Sequence, residues 1–109
     1  MDPLWHELAD ALIDLERELR GLGLWAQSAP DAELLASRQP FCVDTLGFEQ
    51  WLQWIFVPRM AVIIEQGRDL PGAFNIAPMG EEALAWLGRR RHALVAILTR
   101  IDGLAARLS

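Results

Sequence analysis

Side chains able to do chemistry at neutral pH are sparse: two histidines, His6 and His92, and one cysteine, Cys42. A di-metal carboxylate site in a helix bundle needs Glu-x-x-His pairs on inward faces, and neither histidine has a glutamate three residues before it. The sequence holds no Walker-type phosphate loop, no G-x-G-x-x-G and no G-x-S-x-G. No Ser-His-Asp or Cys-His arrangement can be built with any specificity. Cys42 lies between Phe41 and Val43 and reads as a small buried hydrophobe; being alone, it can form no internal disulfide. Most catalysis at pH 7 recruits histidine, a metal or a cofactor motif. The expectation is therefore a protein with no catalytic residue, no metal and no cofactor.

Charged side chains offer more. Projected at 100° per residue, Arg59 falls in the middle of an apolar stripe formed by Phe48, Trp51, Leu52 and Ile55. An unpaired buried charge is very costly. Arg59 is thus expected either to be turned outward or to be buried and paired, with Asp44, Glu49 or Glu82 as its partner. A second arrangement is a polar pocket of Glu49, Gln53 and Arg59 that takes a small anion or a partner's carboxylate. The Arg89-Arg90-Arg91-His92 run is the one basic cluster. Three arginines make a small electrostatic footprint, so covering the end of a helix outweighs an RNA contact there. Five tryptophans (Trp5, Trp25, Trp51, Trp54 and Trp86) are mostly expected in the core. Trp25 and Trp54 fit a single core face least well and are candidates for an exposed patch or a seam between two copies. Trp54, Pro71, Phe74 and Arg89–Arg91 together make the expected partner surface.

These side chains need helices to hold them. Leu8, Leu12, Leu15, Leu19 and Leu22 recur at steps of four and three, which predicts a helix over about 3–21, opened by Asp2-Pro3 and closed by Gly21 and Gly23. Ser28-Ala29-Pro30-Asp31 can start one short helix through Ser37, and Pro40 bars its continuation. A second long helix is expected from Thr45 as N-cap, with Asp44 just outside, to Gln66 before Gly67. It is apolar on most sides, as befits a central element, and Pro58 should kink it without breaking it. Leu70, Phe74 and Ile76 indicate that the stretch 67–77 lies across the bundle. A third helix is expected from near Pro78 to about Leu87, with Gly88 interrupting, and a fourth from Arg89 to the end. Nothing alternates like a strand.

The sum is an all-α fold, a four-helix antiparallel bundle with a proline-kinked central helix and long loops, in one domain over 1–109. Composition agrees. With 52% hydrophobic and 23% charged residues the chain is too apolar for disorder. A net charge of −5 disfavours general nucleic-acid binding. That total hides an acidic first half (ten acids and three arginines over 1–54) and a mildly basic second (five acids and seven arginines over 55–109). The acidic N-terminal residues are unlike a signal peptide, and the apolar run 51–64 is interrupted by Gln53, Pro58 and Arg59, so a cytoplasmic protein with no membrane contact is expected.

The segment Pro40-Phe41-Cys42-Val43-Asp44-Thr45-Leu46, with Phe48 to Met60 after it, closely resembles the YqcC-like family of small bacterial proteins. Leu70 to Met79, Glu82 and Ile101-Asp102 continue the likeness, so it spans nearly the whole chain. Leu46 and the Arg89–Arg91 junction are less typical of the family. The resemblance implies a four-helix all-α fold and supplies no catalytic residues. It also implies a link to a tRNA pseudouridine synthase of the C type, whose catalytic domain this short helical chain does not resemble. The expected function is a non-catalytic interaction module, accessory to an RNA-modifying enzyme, with a protein or a second copy of the chain as partner and RNA contact a weaker expectation. The other expectation is a small-ligand-binding bundle with its pocket at Pro58.

Overall fold

A computed structural model describes residues 3–67, 70, 72 and 74–108; Asp2 and Pro71 lie outside the described residues. Helix α1 spans Pro3–Gly21. Its buried residues Trp5, Leu8, Ala11, Leu12, Leu15 and Leu19 form the stripe read from the leucine spacing. The helix closes as a Schellman motif. Gly23 takes φ 75°, its N–H bonds the carbonyl of Arg20 at 3.0 Å, and the Leu24 N–H bonds that of Leu19 at 2.8 Å. A single-turn helix α2, Ala32–Leu35, and a 3-10 turn, Pro40–Cys42, follow.

The central element runs without a break over 48–66. Helix α3 (Phe48–Trp51) leads into a π turn (Leu52–Phe56) and then helix α4 (Val57–Gln66). Its N-cap is Gly47 and not Thr45. The Thr45 hydroxyl instead donates to the Leu34 carbonyl at 2.7 Å, tying α2 down. The Gln50 amide oxygen, reaching back, accepts the Gly47 N–H at 2.8 Å.

Helix α5 is Ile76–Ala83, two residues earlier at its start and four shorter at its end than the sequence predicts. Its N-terminus is capped from outside. The Asp102 carboxylate accepts the Ile76 and Ala77 N–H groups at 3.0 and 2.9 Å, supplying the partners that the first turn of a helix lacks. A 3-10 stretch, Ala85–Arg91, leads into α6, His92–Leu108. Among the described residues there is no strand.

Helix α6 runs antiparallel to α1: Arg100 donates to Asp14 at 2.9 Å midway along the pair, and Arg90, just before α6, donates to the Leu22 carbonyl at 3.2 Å just after α1. It also runs antiparallel to α5, joined through Asp102 at one end and the Arg91–Glu81 ion pair beside its start. A Cβ on Gly80 would lie 2.6 Å from Leu98 Cδ1 and 3.3 Å from Phe48 Cε2, so glycine sets how closely α5 approaches α6. The core is one apolar cluster that draws on every principal helix, with Leu8, Leu15, Leu52, Met60, Leu94, Leu98 and Ile101 almost fully enclosed. No described helix is long and apolar enough to cross a membrane.

Candidate functional site

The π turn decides where the central side chains point. Its Val57 N–H bonds the carbonyl of Leu52, five residues back, so one extra residue enters that turn. An extra residue rotates everything after it by about 100° relative to a plain α-helix. Arg59 therefore leaves the apolar stripe and lies exposed, while Met60 takes its place with 1% of its surface accessible. The perturbation that Pro58 was expected to cause as a kink takes the form of this π turn. Proline has no N–H to give the Trp54 carbonyl, and widening the preceding turn accommodates the loss.

Of the two expectations for Arg59, the outward one is found and the buried, paired one is not. Arg59 forms no ion pair among the described residues, and none of the three expected carboxylates meets it. Asp44 accepts a hydrogen bond from the Ser37 hydroxyl. Glu49 is half-buried beside Gly47, and Glu82 is exposed. The Glu49–Gln53–Arg59 pocket does not form either, because Gln53 faces the other side of the helix. Gln53 is buried, at 5% exposure, and clamps the loop after α1: its Nε2 donates to the Ala26 carbonyl at 2.7 Å, and its Oε1 accepts the Ala26 N–H at 2.8 Å.

Arg59 lies instead at the rim of an aromatic cleft. Phe41, Trp51, Phe56, Phe74, Met60 and Ile63 wall a cavity of about 270 Å³ beside it. The rings form a connected series: Phe48 stacks on Trp51 at 5.8 Å, Trp51 on Phe56 at 5.3 Å, and Phe56 meets Phe74 edge-on at 5.8 Å. Phe41 closes one side, edge-on to Trp51 at 4.9 Å. Its backbone is in the left-handed region at φ 58°, as is that of Cys42 at φ 51°. Two consecutive side-chain-bearing residues in that region cost of order 1–3 kcal/mol each and persist only where their surroundings impose them. Here the ring contacts hold Phe41, and the buried Cys42 is anchored through hydrogen bonds from the Thr45 and Leu46 N–H groups to its carbonyl. On the far side of Phe41 a second cavity of about 360 Å³ shares Trp51 and Arg59 and adds Leu35, Ser37 and Gln39.

Trp54 is half-buried rather than part of an exposed patch. Its buried indole N–H has no hydrogen-bond partner among the described residues, at a cost of about 1–3 kcal/mol for a desolvated donor. With Gln53, Pro58, Trp25, Glu16 and Arg20 it lines a cavity of about 410 Å³ at the π turn. Trp25 is likewise half-buried, under the Arg20 guanidinium at 5.0 Å. The exposed tryptophan is Trp86, at 63%. Helix α5 ends at Ala83, and beyond it Leu84, which caps the 3-10 stretch, and Leu87 within it, three apart, turn inward together and leave Trp86 outside.

Of the basic run, Arg91 pairs with Glu81 at 2.9 Å and donates to the Gly88 carbonyl at 2.8 Å. Arg90 caps α1 through Leu22, and Arg89 is exposed. Two of the three arginines therefore serve the helix junction. Both histidines are exposed. Among the described residues no group of three or more His, Cys, Asp or Glu could hold a metal ion.

Sequence reasoning missed Phe41 as a wall of the cleft and Asp102 as a cap. The first depends on a left-handed backbone at a non-glycine residue, and the second on a partner 26 positions away.

The family model DUF446, described as tRNA pseudouridine synthase C, matches residues 7–104. An uncharacterised protein of Haemophilus influenzae is 42% identical over 73 residues, which are 67% of this chain and 69% of that protein. The uncharacterised protein YqcC of Escherichia coli is 39% identical over 92 residues, 84% of each chain. Its solution NMR structure superposes with a TM-score of 0.85 at 35% identity, covering 97% of this chain and 91% of that one. A protein of Pectobacterium carotovorum named tRNA pseudouridine synthase C is 33% identical over 86 residues, 79% of this chain but 22% of that protein. With its sequence matched almost from end to end and its fold shared, this chain belongs to the YqcC-like family.

Proposed function

We propose that the chain is a cytoplasmic, non-catalytic interaction module that works beside a C-type tRNA pseudouridine synthase. The observation that carries this reading is the share of the Pectobacterium protein that the match occupies. Most of that protein, which bears the synthase name, lies outside the stretch resembling this chain. There the module is joined to the remainder covalently, which fixes a high effective concentration. Where the two are not joined, the same association has to come through the module's own surface. The chain's chemistry agrees: its open features are an aromatic cleft and exposed cations, which suit recognition.

The test compares the pseudouridine content of tRNA, by mass spectrometry, in cells with and without this chain. Deletion is expected to lower pseudouridine at the synthase's own positions several-fold, and returning the chain on a plasmid to restore it. The purified chain alone should form no pseudouridine. Unchanged pseudouridine on deletion, with an unchanged rate of the purified synthase when the chain is added, would overturn the proposal.

A further inference from the structure

We infer that the aromatic cleft beside Arg59 is a recognition site for an extended peptide segment in which a bulky apolar side chain is followed by a carboxylate. The inference rests on the reading of the chain as an interaction module and names the chemistry of the segment it holds.

Three observations lead there. The first is size and shape. The cavity walled by Phe41, Trp51, Phe56 and Phe74, at about 270 Å³, is below the roughly 300–1,000 Å³ of pockets that enclose a drug-sized molecule. The second cavity, of about 360 Å³, shares Phe41, Trp51 and Arg59 with it as lining residues, so two neighbouring chambers are offered to successive side chains of one chain. The second is charge. Arg59 lines both chambers, is exposed and meets no carboxylate among the described residues, whereas Arg20, Arg91 and Arg100 each pair with one. A free guanidinium over apolar walls selects a carboxylate next to an apolar anchor, and its planar fork can take both oxygens. The third is the backbone. The left-handed pair Phe41–Cys42 carries the ring that divides the chambers and is held there by Trp51. A preformed wall removes part of the ordering cost of binding.

The experiment titrates the isotope-labelled full chain with blocked peptides, acetyl-Leu-Xaa-Asp-Asp-amide, in which Xaa is leucine, phenylalanine or tryptophan. Each has a neutral twin with asparagines. At least one acidic peptide is expected to shift the Trp51 indole N–H and the Phe41 and Phe74 amides saturably, binding about three- to fivefold tighter than its twin, the size of a partly exposed ion pair. Arg59→Ala should erase the difference with the rest of the spectrum unchanged, and Arg59→Lys should keep part of it. Phe74→Ala should weaken both members of each pair. No shift with any of the three, equal affinity of the twins, or a preference that survives Arg59→Ala would each overturn the inference. Its failure is separable from that of the accessory role. If the Arg59→Ala chain still restores tRNA pseudouridine fully, the cleft falls as the docking site and the role stands. If the peptides bind but deletion leaves tRNA unchanged, the role falls and the cleft stands.

Discussion

Asp102 shows how one side chain fixes an element far from it in sequence. Its two oxygens take the two leading N–H groups of α5, and a negative charge also suits the positive end of that helix. Asp102→Ala is expected to cost about 1–2 kcal/mol, seen in thermal unfolding as a Tm lower by roughly 4–10 °C. Asp102→Asn, which keeps an acceptor, should cost less. An unchanged Tm in the alanine variant would mean that water or Asn75 replaces the cap. Gln53 acts similarly on the Ala26 loop, with both ends of its amide engaged. The sequence marks Gln53 as a polar residue within a helix apolar on most sides and indicates that it has a task. It cannot say which loop it grips, because Ala26 lies 27 positions away and offers only its backbone. Cys42, by contrast, is legible from its flanks alone and is buried.

Helices α1 and α6 are read directly from the spacing of their leucines, since amphipathic repeats of 17–19 residues are a strong and local signal. The central element is legible in extent and not in register. Counting 100° per residue through 48–66 assumes 3.6 residues in every turn, and the π turn violates that once. The consequence is confined to the residues beyond that turn: a plain count centres Arg59 in the apolar stripe, and the extra residue turns it outward and brings Met60 in. Two substitutions measure the register. Met60→Ala should lose about 2–5 kcal/mol in denaturant unfolding, the cost of truncating a buried side chain, while Arg59→Ala should change stability by less than about 0.5 kcal/mol. The opposite ranking would mean a plain α-helix there. A change of helical period also explains Trp86. Its exposure results from α5 ending at Ala83, a boundary set by the change to three residues per turn and by Gly88 at φ 59°, not by any break in the apolar pattern.

At the scale of the whole molecule, the chain is acidic, with net charge −5; among the described residues three arginines pair with its own carboxylates, and Arg59, beside aromatic rings, pairs with none. A charge balance of that sign favours a protein surface over phosphates as the partner. The fold class was legible because every principal helix announces itself locally. The cleft was not, since it draws Phe41, Trp51 and Phe74 from three segments that only tertiary packing brings together. The most direct measurement is calorimetric titration of the purified chain into the purified C-type tRNA pseudouridine synthase of the same organism, without tRNA. Saturable one-to-one binding at micromolar Kd or tighter, about −8 kcal/mol or more favourable, is the expected result. No saturable heat at any temperature tested, with both proteins folded, would contradict it.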